Sequence, residues 1–336
     1  MDRMRLWIGC LVLLVAASEV SAVSPNPFAE QEPDSWVLRV EYADKRLWVL
    51  EESGKLSAVE EGKAERSDSG LKDPVLDLWL QNGVPMVVTQ PKAGRPYTIR
   101  RWAHGKWDRL ASAPSQNDQL FAAGSYGDDV TLVTDHHLID IESGRVQSFP
   151  VSWGRFNGTP SALIMQDSVL VGMNAGEWGG GLRVVDRRNG AVSEVPCDEC
   201  APVTGIAPEP GKPGCAVVAM GIVHLLEAGK LVEVCGVTSR ALYEKPTTMG
   251  FFGMPIDVTM PFFGLSTAGG QIRAIGVDGV YRVAPDGTAA EHTALPEFQD
   301  IGGFKVSFAI PDVVLVLTDI NAHRSLSGRT PLIVGR

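Results

Sequence analysis

An all-β fold is expected from three features: short β-branched and apolar runs recur along the chain, glycine-bearing turns keep step with them, and no segment has capped helical periodicity. The runs are Trp36–Val40, Val84–Val88, Val130–Val133, Val169–Val171, Ala216–Ala219, Ile272–Ile275 and Val313–Val316. Each is of strand length and bounded by Gly, Pro, Asp or Asn, a pattern that favours strand over helix. The turns are Glu52-Ser53-Gly54, His104-Gly105-Lys106, Glu142-Ser143-Gly144, Arg188-Asn189-Gly190, Glu227-Ala228-Gly229 and Pro285-Asp286-Gly287. Glycine supplies the positive φ that a tight hairpin needs, so each is expected to join two strands.

The runs recur about every 46 residues, the range in which a repeat of several strands reads as a β-propeller with four-stranded blades around a channel. With strands A to D counted outward from the channel, the runs are taken as strand B and the strands before the glycine turns as strand C. Seven blades are favoured, because there are seven such runs, and six remain possible. Before Gly70 only strands B, C and D are found, and after Gly302 only about three more. A two-sheet sandwich or a β-helix is the alternative architecture. The stretch from Asn174 to Asp186, with its Gly-Glu-Trp-Gly-Gly-Gly core, and the Cys197 to Cys235 segment resemble exported bacterial β-propellers of an uncharacterised family. That likeness is one of architecture and implies no activity; neither a Trp-Asp nor a Kelch signature is present.

The N-terminus starts Met1-Asp2-Arg3-Met4-Arg5, continues as an apolar run from Leu6 to Ala17 and reaches Val20-Ser21-Ala22, the layout of a secretory signal cleaved after Ala22. The run is shorter than the ~20 residues that span a bilayer, which disfavours an uncleaved anchor. Cys10 lies inside it, a poor position for lipidation. The expected organisation is a signal peptide over 1–22, a linker over 23–35 and a single propeller domain over 36–336. The mature chain is expected to be secreted or periplasmic, without a transmembrane segment. It keeps Cys197, Cys200, Cys215 and Cys235, an even set that favours disulfides in an oxidising compartment. A redox Cys-X-X-Cys or a zinc site is disfavoured, since no helix start is evident and Cys215 and Cys235 are not a close pair. Cys197, Cys200 and Cys235 are expected at one end of the blade and Cys215 at the other.

Of 336 residues, 30 are Lys or Arg and 40 are Asp or Glu, a net charge of -10 that opposes a phosphate-neutralising basic stripe, so no nucleic-acid partner is expected. With 44% hydrophobic residues the chain can bury a large core.

Alternating strand direction gathers all B-to-C and D-to-A loops at one end of a propeller. The candidate binding face there comprises Asp135, His136, Asn174, Glu177, Trp178, Asp278, Asp319 and His323, with Trp153 and Arg155 from a D-to-A loop; Asp44 and Lys45 are grouped with it. Aromatic, acidic and imidazole groups on loops carried by a rigid scaffold suit recognition. The glycines around Glu177 and Trp178 allow close approach of a ligand, with Trp178 to stack and Glu177 to hold a cation or act as a base; the plainer reading packs Trp178 between blades. Within Asp135-His136-His137, neighbouring strand residues face opposite ways, so both rings can ligate one metal only if the backbone bends between them; with a hairpin turn there, His136 rather than His137 is the candidate. Of two apolar stretches, Met249–Pro255 and Met260–Gly264, one is expected as an inner strand and the other over the channel.

The function expected is a binding module for a protein, peptide or glycan, with no cofactor. The chain has no Gly-X-Ser-X-Gly, His-Glu-X-X-His or P-loop, which disfavours an enzyme. The alternative is a metal-dependent hydrolase of lactonase or esterase type, with Glu177, Asn174, Asp135, Asp278 and Asp319 as the pool of ligands for a divalent cation at the channel mouth and His136 or His323 as base. The sequence assigns no catalytic residue and no metal ligand.

Overall fold

The computed structural model describes residues 37–60, 66–148, 160–197, 200–223, 227–251, 253–288, 290–294, 304–310, 313–318 and 332–334. The expected signal peptide, the linker and four of the candidate residues (Trp153, Arg155, Asp319 and His323) lie outside them.

The described residues form antiparallel meanders and no α-helix. Blade 1 is β1 (Val37–Ala43), β2 (Arg46–Glu51), β3 (Leu56–Glu60) and β4 (Arg66–Asp68). Blade 2 is β5 (Val75–Gln81), β6 (Val84–Thr89), β7 (Tyr97–Ala103) and β8 (Lys106–Ala113). Blade 3 is β9 (Leu120–Tyr126), β10 (Asp129–Thr134), β11 (His137–Asp140) and β12 (Val146–Ser148). Blade 4 is β13 (Ser161–Ile164), β14 (Ser168–Asn174), β15 (Gly180–Asp186) and β16 (Val192–Glu194). Blade 5 is β17 (Val203–Pro208), β18 (Cys215–Val223), β19 (Glu227–Cys235) and β20 (Thr238–Tyr243). A separate hairpin, β21 (Pro246–Phe251) and β22 (Met254–Thr259), precedes blade 6, which is β23 (Phe262–Ser266), β24 (Ile272–Gly276), β25 (Gly279–Val283) and β26 (Ala290–Ala294). The last sheet has three strands, β27 (Phe304–Ile310), β28 (Val313–Thr318) and β29 (Leu332–Val334).

The inner strands follow one another in chain order from β1 to β23, and β27 lies between β23 and β1. The chain is therefore a β-propeller; among the described residues six blades are complete four-stranded sheets, and the ring closes through the sheet of β27, β28 and β29. The core sits between successive blades: Leu170 and Val184 of blade 4 pack on Val218 and Val232 of blade 5, and Met86 and Ile99 of blade 2 pack on Leu132 and Ile139 of blade 3. Strands sandwiched in this way are apolar on both faces, which is why runs such as Val217-Val218-Ala219 read as continuous rather than alternating. Buried Asp77 of β5 accepts from the Ala123 amide of β9 at 2.7 Å and pairs with Arg39 of β1 at 2.9 Å, tying three inner strands together.

Several sequence expectations change. The run at 36–40 contributes to β1, an inner strand A, and blade 1 is complete. Its A-to-B turn is built by Asp44 and Lys45 at φ 53° and 55°, a left-handed pair that forms a tight hairpin without glycine and so escapes a search for glycine turns. Both residues thus sit at the end opposite the candidate face. Gly229 is not a turn residue but lies inside β19, where a Cβ would meet the Met220 and Met260 carbonyls at 2.6 Å; glycine here serves close approach. Lengthening β19 in this way carries Cys235 to the other end of the blade, directly opposite Cys215 in the β18–β19 register. Of the two apolar stretches, Phe262 and Phe263 are buried in β23 as an inner strand, whereas the other forms the β21–β22 hairpin with Met254 exposed.

Candidate functional site

The end that carries the B-to-C and D-to-A connections holds Asp135 and His136 between β10 and β11, Asn174 to Trp178 at the β14–β15 connection, and Asp278 between β24 and β25. The described candidates are therefore spread over blades 3, 4 and 6, each with its own local network.

In blade 3 the hub is Asp118, which the sequence reading passed over. It sits in the connection entering β9, after Gln116 and Asn117 at φ 53° and 61°. Its Oδ1 lies 3.1 Å from His136 Nδ1 and its Oδ2 2.5 Å from His137 Nδ1, while Thr134 Oγ1 donates to Oδ2 at 2.8 Å. The chain bends between the two histidines because Thr134 Oγ1 also accepts from the His137 amide at 2.9 Å, a side-chain turn that ends β10. Both rings consequently meet one carboxylate, so His137 joins the candidate His136 at Asp118. A carboxylate only accepts, so each Nδ1 carries the proton, and each Nε2 points away from the hub. Burial opposes the Asp118 charge, but the hydrogen bonds from His137, Thr134 and His136 outweigh it and hold the carboxyl below its ordinary range. Tyr97 donates to the Asp118 carbonyl at 2.7 Å; burial, with the Asp118 and Asp135 charges, pushes its phenol up to about 12.

Blade 6 repeats this arrangement with other chemistry. Lys245, in the connection leaving β20, reaches Asp278 Oδ2 at 3.0 Å and the Tyr281 hydroxyl at 2.5 Å. The Tyr281 hydroxyl donates to Asp278 at 2.6 Å, and His292 Nε2 lies 3.4 Å from the same carboxylate. Burial again opposes the Asp278 charge, and Tyr281, Lys245 and His292 together keep its carboxyl below the usual range; burial and Asp278 push the Tyr281 phenol far up. Asp278 was a candidate from sequence; Lys245, Tyr281 and His292 were not.

In blade 4 the connection is a single 3₁₀ turn, Gly176–Trp178. It is braced from within, with Asn174 Oδ1 accepting the Gly176 amide at 3.0 Å, the Trp178 amide donating to Ala175 at 3.2 Å and the Ala175 amide donating to Gly179 at 3.0 Å. Trp178 projects from it with 87% of its surface exposed, so the expectation of an indole packed between blades does not hold. Beside it lies the Cys197–Cys200 disulfide, and the second disulfide joins Cys215 to Cys235. Asn174 is thus engaged within its own loop and Asp278 by Lys245, Tyr281 and His292, and among the described residues no group of three or more His, Cys, Asp or Glu is placed to hold a metal ion. No described helix is long and apolar enough to cross a membrane.

Solved structures share this architecture. YCF48 bound to the D1 peptide aligns with a TM-score of 0.53 at 11% identity, over 85% of this chain and 89% of that one. YCF48 from Cyanidioschyzon merolae gives the same score and identity over 85% and 94%. The computationally designed Ika8 protein aligns at TM-score 0.51 and 13% identity over 89% and 86%. The extracellular domain of a hybrid two-component system of B. thetaiotaomicron aligns at TM-score 0.50 and 14% identity, covering 85% of this chain but 37% of that one. At such identities the likeness is one of fold. No family profile and no curated protein matches the sequence.

Proposed function

We propose that the protein is a binding module that takes a peptide or protein segment at the end formed by the B-to-C and D-to-A connections, with Trp178 as its anchor. The observation that carries this reading is the exposure of an indole on a hydrogen-bonded turn: folding leaves Trp178 87% exposed while burying Trp48 and Trp79. A rigid, amphipathic ring loses little side-chain freedom on binding, and such residues dominate binding hot spots. The Asp118 and Asp278 networks supply stiff polar neighbours elsewhere on the same end, where a ligand finds preorganised donors and acceptors. The peptide seen on YCF48 supports peptide recognition as within the reach of this fold. Two disulfides support a home in an oxidising compartment, outside the cytoplasm.

The test is a peptide-display selection and a glycan array run with the wild-type chain and with Trp178→Ala. Selected peptides should bind the variant at least about 30-fold more weakly, as for a hot spot, with the melting temperature unchanged. Equal binding by both chains, or selection of glycans alone, would place recognition elsewhere.

A further inference from the structure

The Trp178 turn rests on Cys200 and Ala201. Gly180 donates its amide to the Cys200 carbonyl at 3.0 Å, and Gly179, at φ +90°, faces the same oxygen at 3.4 Å from where a Cβ would stand. A Cβ on Gly180 would overlap the Ala201 carbonyl, so glycine at 180 follows from this contact. Below the disulfide, Cys197 and Cys200 pack on Val195, Val203 and Leu182, and the Pro202 carbonyl is held by the Gly221 amide at 3.0 Å. The chain is thus held on both sides of the Cys197–Cys200 disulfide.

The two disulfides differ in what surrounds them. Cys215 and Cys235 face each other across the β18–β19 ladder, with Cα atoms 4.3 Å apart, so the sheet keeps their thiols together in either redox state. Cys197 and Cys200, three positions apart, lie in the connection between β16 and β17, outside any ladder. No described strand pairing includes either residue, and the Trp178 turn is hydrogen-bonded to Cys200.

We infer that Cys197–Cys200 is a redox-exchangeable link that sets the order of the Trp178 turn and, through it, the affinity of the binding end. This rests on the reading of Trp178 as the anchor. The co-reactant is a dithiol: one thiolate attacks a sulfur of the Cys197–Cys200 bond, which breaks as a mixed disulfide forms. The second thiolate displaces the protein sulfur, and two electrons and two protons pass from the dithiol to give two cysteine thiols and an oxidised dithiol. Freed from the link, the Cys200 carbonyl no longer holds the Gly180 amide.

The test titrates the full chain with dithiothreitol, maps the thiols released and follows amide hydrogen exchange over residues 173–181. The same exchange is measured for Cys197→Ser/Cys200→Ser without reductant, and peptide binding is measured for wild type and Trp178→Ala. Thiols should appear at Cys197 and Cys200 before Cys215 and Cys235. The Gly180 amide should then exchange about fivefold faster, the factor given by losing one hydrogen bond of ordinary net strength. The double variant should show the faster exchange from the start. Unchanged exchange after reduction, or earlier release of the Cys215–Cys235 thiols, would overturn the inference. Faster exchange together with full peptide binding by Trp178→Ala would uphold the link and remove only the anchor reading.

Discussion

Arg187, just past β15 in blade 4, donates from Nη2 to Asp140 Oδ1 of blade 3 at 3.0 Å, across two successive blades. The same guanidinium meets Asp129, Thr131 Oγ1 at 2.9 Å and the Met165 carbonyl at 3.0 Å, and Arg145 closes the set by donating to Asp140 at 2.7 Å. Since Arg187 is 6% exposed, its removal takes from Asp129 its cationic partner and leaves Asp140 with Arg145 alone at the blade interface. Arg187→Ala should therefore lower stability by about 3–5 kcal/mol, read as the shift in the urea midpoint. Burial acts against the Asp140 charge, but Arg187 and Arg145 prevail and its folded pKa lies below the unfolded value. The stability it contributes is present above the unfolded pKa and is lost as pH falls through the folded one. Wild type should thus lose more stability than Arg187→Ala on acidification below about pH 4.

Glu209 presents the opposite case. Its side chain is fully buried, its carboxylate oxygens have no hydrogen bond, and Lys212 Nζ stands 3.9 Å away. Burial, then the Glu233 charge, raises its pKa. The folded state therefore holds the proton more tightly, and stability falls as pH rises from the unfolded pKa through the folded one. Glu209→Gln should be more stable than wild type at pH 7 by about 1 kcal/mol, a margin that closes below about pH 4.5. A pH series of melting temperatures decides it, and a variant less stable at pH 7 would contradict the argument.

Glycines at Gly221 and Gly83 answer to different constraints. A Cβ on Gly221 would stand 2.6 Å from the Phe262 amide nitrogen, in the packed contact of β18 with β23, whereas Gly83 has open space around it and φ +77°. Gly83→Ala should cost about 1–2 kcal/mol from backbone strain alone. Gly221→Ala should cost about 3 kcal/mol from forced separation of the strands. Denaturant titration of the two variants checks the order.

The disulfides also predict an order. Cys215–Cys235 spans 20 residues and Cys197–Cys200 three. Cys215→Ser/Cys235→Ser should lower stability by about 2–4 kcal/mol, and Cys197→Ser/Cys200→Ser by less, because closing a longer loop removes more freedom from the unfolded chain. Calorimetric melting of the two double variants would show the ranking or reverse it.

Six of the seven apolar runs became strand B, because a strand between two packed sheets must be apolar on both faces and that demand is written locally. The Asp44–Lys45 hairpin escaped because two non-glycine residues adopt its left-handed turn, and Gly229 misled because a glycine kept for close approach looks the same in sequence as one kept for a turn. Asp118 carried no motif. Applying to Ser115–Gln119 the rule that groups D-to-A with B-to-C loops would have placed it beside His136, and the same rule reaches Lys245 beside Asp278.

By itself, then, the sequence determined the repeated four-stranded unit, the end of the ring on which Asp135, Asn174, Trp178 and Asp278 stand, and the presence of disulfides, since each depends on local periodicity, turn chemistry or composition. Only the tertiary structure decided that two histidines share Asp118, that Cys235 faces Cys215, that Trp178 points outward and that the ring closes through the sheet of β27, β28 and β29. Those depend on strand register and on which loops the ring brings side by side, and neither leaves a mark in the local pattern of residues.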